Sequence, residues 1–513
     1  MDKDLVIGID SSTSATKAIA WDVGGRLVGE GRATIPMSNP SPGRFEQKAS
    51  DWWGSTTKAL SQLLSQIDPN RVAGVSISNQ RETFGIFHAD GSPVRNAMVW
   101  LDERAISETE IFAEKFGSDK IRNISGKPVD VIVPINRMMW LQTHEPENFA
   151  AMECYADVHC FLTFKLCGEW VTSKASADPS GMLDMETGTW SKELLDAANI
   201  PLDFMPSLAA PGEVIGHVSD AAASETGLLA GTPLIAGGGD GQCAASGAGA
   251  VEASDAYMNL GTAVVAGVYA PRYGNAQAFR TEIAVSDSGY IYETALKAGT
   301  FLIDWFAREL GGKSDEDMGA TLKRLGEEAS ASPIGAGGIV LLPLWQGSMT
   351  PHWDAKARGV IAGMSGSTKR GDIYRALLEG LAMDQAYALE KAMAAMDGKL
   401  SKIIAIGGGT ASKLLLQIVA DTMDVPVYRA KVAEASVLGA AMCAAKGVGW
   451  FETLREASQA MASRDLTVTN PIPENVARYA QLRKIYDDLW PCVSEWNERL
   501  WSFANQPCPA AGD

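Results

Sequence analysis

Apolar runs broken by small-residue turns open the chain and predict a meander of strands. Leu5 to Asp10 reads as a buried strand ending in a carboxylate. Lys17 to Asp22 reads as a second strand and Leu27 to Pro36 as a third, with Val23-Gly-Gly25 turning between the last two. The period then changes. Asp51-Trp-Trp through Leu64 is helical in pattern, with Ser50 or Asp51 as the expected cap. Alternation with β-branched residues returns at Val72 to Ser78. Phe84-Gly-Ile-Phe-His88 carries another strand into the Asp90-Gly91 turn. From about 104 to 228 the pattern is rich in helix, most clearly at Arg104 to Phe116, Asn136 to Thr143, Pro146 to Met152 and Asp157 to Leu166, and Thr187 to Ser191 caps one that ends near Ala198. Strand character returns at Gly231 to Gly237.

A boundary falls near Glu252 to Asp255. Beyond it, Tyr257-Met-Asn-Leu repeats the strand-and-turn theme of residues 6 to 13, an echo that suggests two related halves. The second half predicts helices at Gly299 to Leu310, Asp372 to Met396, Ser412 to Met423 and Glu434 to Ala445, with Val476 to Trp490 in the tail. Strands are predicted near Tyr292 and at Gly338 to Pro343, Lys402 to Ile406 and Val425 to Tyr428, and a Pro/Gly/Ala-rich end that frays.

The chemistry sits at the strand ends. Thr232-Pro-Leu-Ile-Ala-Gly-Gly-Gly-Asp240 holds a carboxylate against nearly bare backbone. Ser11-Ser-Thr-Ser-Ala-Thr-Lys17 is a hydroxyl-rich turn, and further glycine turns follow at Asn259-Leu-Gly-Thr262 and Ile404-Ala-Ile-Gly-Gly-Gly-Thr410. Small-residue turns at strand ends suit phosphate binding, because exposed amides can point at an anion. Neither a G-x-G-x-x-G fingerprint nor a P-loop is present, and any one of these turns alone is equally a cap or a tight bend. Four of them, near residues 10, 240, 261 and 408, predict strands converging on one cleft.

Composition narrows the class. At 513 residues the chain exceeds one core, so two large domains are expected, and 46% apolar content suits ordinary globular packing. A formal charge of −18 argues against a nucleic-acid surface, while a locally positive pocket for ATP remains compatible. Cysteines stand at 154, 160, 167, 243, 443, 492 and 508 without a C-x-x-C pair, and five histidines show no metal spacing, so both are expected as packing residues in a reducing compartment. The start lacks the pattern of a signal peptide, and no apolar run is long enough to span a bilayer. A cytoplasmic location is expected.

Read in order, Ile9-Asp-Ser-Ser-Thr-Ser-Ala-Thr-Lys17, Ser76-Ile-Ser-Asn-Gln-Arg-Glu82, Val99-Trp-Leu-Asp-Glu-Arg104, Gly237-Gly-Gly-Asp-Gly241, Asn259-Leu-Gly-Thr262, Gly359-Val-Ile-Ala-Gly363, Tyr374-Arg-Ala-Leu-Leu-Glu-Gly380 and Gly407-Gly-Gly409 span nearly the whole chain. The set resembles the FGGY family of carbohydrate kinases, within the actin-like ATPase superfamily. The resemblance implies an α/β protein of two actin-like, ribonuclease-H-like domains with a catalytic cleft between them. Residues 1–252 would bind sugar and carry the catalytic base and first phosphate turn. Residues 253–513 would bind nucleotide and end in a helical tail.

The resemblance implies roles residue by residue. Asp240 matches the base that takes the proton of the accepting hydroxyl; its alternative is to cap a helix starting near Gln242. Asp10 matches the aspartate that orients hydrated Mg2+. Ser12, Thr13 and Ser14 would meet the leaving phosphate, and Lys17 falls where some relatives carry a basic residue towards the γ-phosphate. Gly261 and Thr262 form the second phosphate turn. Gly408 and Gly409 resemble the wall against adenine and ribose. Lys413 stands where glycerol kinases often have Asn at the base edge, a departure that leaves its contact open.

For the sugar, Arg81 and Glu82 match the glycerol-kinase pair that grips a terminal hydroxyl and its neighbour. A guanidinium fork and a carboxylate together suit a vicinal diol, and a surface ion pair is the alternative. Trp100 resembles the tryptophan that packs on the carbon skeleton, with Asp102 and Arg104 bracing its loop. Asp130-Val-Ile-Val-Pro-Ile-Asn-Arg-Met-Met-Trp-Leu141 is nearer the xylulokinase segment, and Gly241 replaces a glutamine of glycerol kinases. The expectation is an ATP-dependent phosphotransferase acting on the terminal hydroxyl of a linear sugar or polyol, first a pentulose such as xylulose. Glycerol or another polyol or ketose is the alternative, and a non-catalytic sugar- and nucleotide-binding sensor or scaffold is the reading from another class. The partners expected are a small sugar or polyol, with no nucleic acid and no membrane, and a homodimer is left open.

Overall fold

A computed structural model describes residues 3–312, 317–430, 434–462 and 467–505. Cys508 and the Pro/Gly/Ala-rich end lie outside the described residues.

The opening meander forms as Leu5–Ser11, Ala15–Trp21 and Leu27–Thr34. The first two are buried almost throughout, whereas the third alternates buried and exposed positions, as a strand with one wet face should. The central sheet of the first half runs Val214–His217, Pro233–Gly239, Val72–Asn79, Leu5–Ser11, Ala15–Trp21, Leu27–Thr34. Leu5–Ser11, Val72–Asn79 and Pro233–Gly239 are mutually parallel. Ser11 and Gly239 both stand level with Asn79, so three carboxyl ends emerge at one edge.

The second half repeats the plan. Its sheet runs Arg280–Ile283, Tyr290–Leu296, Val264–Ala270, Asp255–Leu260, Lys402–Ile406, Val427–Arg429, Thr467–Thr469. Asp255–Leu260 is antiparallel to Val264–Ala270 and parallel to Lys402–Ile406, just as Leu5–Ser11 is to Ala15–Trp21 and Val72–Asn79. The order and directions match strand for strand, except that Arg280–Ile283 adds an edge. The echo at Tyr257 is therefore a structural repeat.

One helix crosses between the halves. Ala435–Gly447 follows the second-half strands in sequence, but Val437, Leu438, Ala441 and Cys443 join the core cluster of Val6, Ile19 and Ile235 in the first sheet. The approach is close: a Cβ on Gly8 would lie 2.1 Å from the Val437 carbonyl, and one on Gly439 2.0 Å from that of Cys243. A helix of small residues lets backbone meet backbone here, and a methyl at either glycine would push the layers apart.

Two sequence expectations need correction. The first long helix is Ala49–Leu64 with Lys48 at its cap and no side-chain capping bond, so neither Ser50 nor Asp51 caps it. The tail is two helices, Pro473–Asp487 and Leu489–Ala504. Pro491 has no N–H to return to residue 487, so it breaks the first helix and is tolerated in the opening turn of the next. A five-stranded sheet of short strands, Ser38–Ser41, Arg44–Gln47, Ala97–Met98, Phe84–Phe87 and Cys154–Asp157, was legible only at Phe84. Among the described residues no helix is long and apolar enough to cross a membrane.

Candidate active site

Asp240 is the first residue of the helix Asp240–Ala248, directly after Pro233–Gly239, and Gly239 occupies the cap position. Its carboxylate is thus in the first turn, where the helix dipole favours negative charge, and accepts a 2.8 Å hydrogen bond from the Gly241 N–H. It does not serve as the helix cap. The side chain is 40% exposed, and its Oδ1 lies 3.0 Å from Arg81 Nε. The Ser436 hydroxyl, from the crossing helix, donates to the Asp240 carbonyl at 3.0 Å.

Asp10 is the penultimate residue of Leu5–Ser11, which runs parallel to Pro233–Gly239 with Val72–Asn79 between them. Its buried carboxylate accepts from Ser78 Oγ at 3.0 Å. Burial first, and the Asp240 carboxylate next, push its pKa up to about 7. Lys17, level with Asp10 on the antiparallel strand, pairs with Glu434. The charges of Asp240, Lys17 and Glu434 all act on Asp10.

The first turn is held from below. Ser12 donates to the Ala15 carbonyl at 2.8 Å, Trp100 Nε1 donates to the Thr13 hydroxyl at 2.9 Å, and Gln47 donates to the Thr13 carbonyl at 2.6 Å. The Ser14 carbonyl accepts from Ile35. Trp100 is thereby tied to the phosphate-type turn, a connection that spacing did not predict. Asp102 and Arg104 brace its loop as expected: Arg104 holds Asp102 through Nε and Nη2 at 2.7 Å each, and Asp102 accepts from the Phe45 N–H at 2.8 Å.

In the second half, Gly261 and Thr262 follow Asp255–Leu260, with Thr262 exposed and the Gly261 carbonyl accepting from Thr300 at 2.8 Å. Gly408 and Gly409 follow Lys402–Ile406. A Cβ on Gly409 would lie 2.8 Å from Leu260 Cβ, whereas one on Gly408 meets nothing within 4 Å and faces open space. Lys413 is exposed at the first position of Lys413–Met423, where Ser412 caps the helix. A cation at that end opposes the helix dipole, so helix stability does not account for it.

Arg81 and Glu82 do not pair with each other at the surface. Arg81 is buried and the Glu82 side chain keeps little exposure, and each takes an opposite charge from the second half. Arg81 Nη1 lies 2.9 Å from Glu293, and Arg280 Nη1 lies 2.6 Å from Glu82. Burial raises the pKa of Glu82 against the pull of Arg280 and Arg81. At Glu293 burial also acts upward, but Arg81 and Arg280 prevail and bring it down to about 2. Arg280, Glu293 and Glu434 were missed because isolated charged residues outside any motif read as solvated surface.

A part-exposed carboxylate and bare glycine turns, at the strand ends of two sheets of one topology, suit a two-domain phosphotransferase. The comparisons agree. Models of the N-terminal and C-terminal domains of the FGGY family of carbohydrate kinases match residues 5–247 and 256–448. Xylulose kinase of Bacillus subtilis is 30% identical over 97% of this chain and 99% of its own. Glycerol kinase of Paenarthrobacter aurescens is 28% identical over 88% of this chain and 91% of its own. Among solved structures, xylulose kinase of Rhodospirillum rubrum superimposes with a TM-score of 0.90 at 24% identity, over 96% of this chain and 99% of that one, a likeness of fold. The protein belongs to the FGGY family of carbohydrate kinases. It is an enzyme that phosphorylates a small sugar or polyol with ATP.

Proposed function

We propose that the protein transfers the γ-phosphoryl group of ATP to the terminal hydroxyl of a linear sugar or polyol, with a pentulose such as xylulose as the leading substrate. The placement of Asp240 carries this reading: a part-exposed carboxylate, on a helix N-terminus, at the edge where three parallel strands end. Asp240 takes the proton of the accepting hydroxyl as the new O–P bond forms and the bond to ADP breaks. Arg81 and Glu82 hold the diol next to that hydroxyl, and Trp100 packs on the carbon chain. Ser12, Thr13, Ser14 and Lys17 face the transferred phosphate from one side and Gly261 and Thr262 from the other. Gly408 and Gly409 leave room for adenine and ribose, and Lys413 borders the base.

Mg2+ fits this donor set. A hydrated Mg2+ ion prefers one or two carboxylates plus substrate phosphates, and Asp10 and Asp240 supply hard oxygens within electrostatic reach of each other. Asp10 would hold the ion through water, and the ion would neutralise phosphate charge during transfer. The division of labour at 252/253, a cytoplasmic location and a homodimer belong to the same proposal.

A second reading, a polyol such as glycerol as substrate, is favoured by the buried Arg81 and Glu82 pair and by the glycerol kinase among the relatives. An ADP-release assay across pentuloses, tetritols, pentitols and glycerol tests both. Turnover of a pentulose above all others supports the first reading; preference for a polyol replaces it; no release with any member rejects both substrate readings.

A further inference from the structure

Arg280 lies on the extra edge strand of the second sheet, yet its guanidinium is at the first-half sugar loop. Nη1 is 2.6 Å from Glu82, while Nη2 and Nε lie 2.6 Å and 2.7 Å from Glu293 Oε1. Glu293 in turn receives Arg81 at 2.9 Å and the Tyr257 hydroxyl at 2.8 Å. Arg81 closes the series on Asp240 at 3.0 Å. Charges therefore alternate without a gap from Glu82 through Arg280, Glu293 and Arg81 to Asp240.

The series has a front and a back. Arg81, Glu82 and Arg280 keep 7%, 8% and 7% side-chain exposure, while Glu293 and Glu282 behind them keep none. Lys127 neutralises Glu282 from the first half at 2.8 Å. Glycine beside Asp240 makes room for this arrangement: a Cβ at Gly241 would lie 2.7 Å from Glu293 Oε2 and 2.9 Å from Arg81 Nη2. The edge strand is also fastened to the first half. Thr281 N–H donates to the Gly126 carbonyl at 2.9 Å and Ile283 N–H to Asp178 at 2.6 Å, and from the adjoining strand the Tyr290 hydroxyl donates to the Met185 carbonyl at 2.8 Å.

We propose that Arg280 is a specificity-determining positioning residue: through Glu82 and Glu293 it fixes, from the second half, the two first-half side chains that face the substrate diol. The inference rests on the reading of Arg81 and Glu82 as sugar ligands. A buried charge left without its partner is strongly unfavourable, so each member of the series holds the next in one place. Preset donors and acceptors then discriminate between hydroxyl patterns, because a mismatched substrate leaves one of them unpaired.

The test is kinetic, on the full-length enzyme with the best substrate of the ADP-release panel. In Arg280→Gln, kcat/KM for the sugar should fall on the order of 10–100-fold, mainly through KM, with the KM for ATP unchanged. Arg280→Lys, which keeps the charge but not the fork, should recover only part of the loss. Glu82→Gln combined with Arg280→Gln should lose less than the product of the single losses, since the two act as one pair. Should Arg280→Gln fail to fold, Arg280→Lys with an unchanged melting temperature carries the same criteria. Unchanged sugar kinetics, an equal rise in both KM values, or strict multiplicativity in the double variant would overturn the proposal. A wild-type enzyme that turns over no panel member rejects the substrate readings and this inference with them, whereas an active wild type with an indifferent Arg280→Gln rejects the inference alone.

Discussion

The two halves share a strand order and differ in what they put at the strand ends. The first sheet ends in charge: Asp10 at the penultimate position of one parallel strand, Arg81 and Glu82 past the second, Asp240 after the third. The second sheet ends in bare backbone at Gly261 and at Gly407 to Gly409, with Thr262 the hydroxyl among them. One scaffold thus presents two chemistries. Carboxylates on a rigid sheet edge can handle a proton and a cation, whereas glycine turns allow close approach to an anion or a flat base without the cost of burying a charge. The difference teaches that the fold sets where groups emerge, and the residue at the strand end sets what that place can do.

If the charged edge performs the proton transfer, Asp240→Asn has the largest effect. The amide keeps the shape but cannot accept the proton, so kcat should fall by roughly 10²–10⁴-fold while sugar binding survives. Steady-state kinetics with a direct binding measurement checks this, and a kcat close to wild type would remove Asp240 from the chemistry. Arg81→Ala comes next. A hydrogen bond to a charged group is worth about 1.5–3 kcal/mol, so kcat/KM for the sugar should drop on the order of 10–100-fold. The KM for ATP should hold at saturating sugar, and a reversed pattern would place Arg81 on the nucleotide side.

The glycine edge gives a sharper, smaller contrast. Gly408 faces open space and Gly409 faces Leu260. Gly408→Val should therefore raise the KM for ATP by about tenfold, the weight of roughly one lost contact, and leave the melting temperature alone. Gly409→Val should lower the melting temperature instead. Equal behaviour of the two variants would count against Gly408 facing the nucleotide.

The smallest effect is one of pH, and it concerns how the charged edge is held. His159 accepts a hydrogen bond from the Gly237 N–H at 3.3 Å, just ahead of Asp240, and burial lowers its pKa from 6.5 to about 3. Below pH 6.5 the unfolded chain binds a proton that the native histidine refuses, so stability falls as the pH drops towards 3. Neighbouring Asp157, raised from 3.8 to about 6 by burial, works the other way over its own window. In His159→Gln, denaturant melts between pH 6.5 and 3 should show a flatter decline than wild type. Parallel curves would show that His159 does not set the acid limit.

The sequence by itself determined the strand-end turns and their order. The run Leu5 to Asp10, the glycines before Asp240 and the Gly407 turn are local signals, in which apolar length and small residues dictate strand and turn before any distant contact forms. Thr13 and Asp240 lie within such segments, whereas Arg81 and Trp100 were reached only through the resemblance to the family. Tertiary structure decided the partners. That Ala435–Gly447 packs on the first sheet, that Trp100 ties down Thr13, and that Arg280 and Glu293 rather than each other neutralise Glu82 and Arg81 follows from which strands meet. The strands too short to show a period, at Ala97–Met98 or Arg280–Ile283, form only because a neighbour supplies their hydrogen bonds. A charge is read locally as solvated, and it becomes part of a site only when folding removes its water and sets one opposite charge against it.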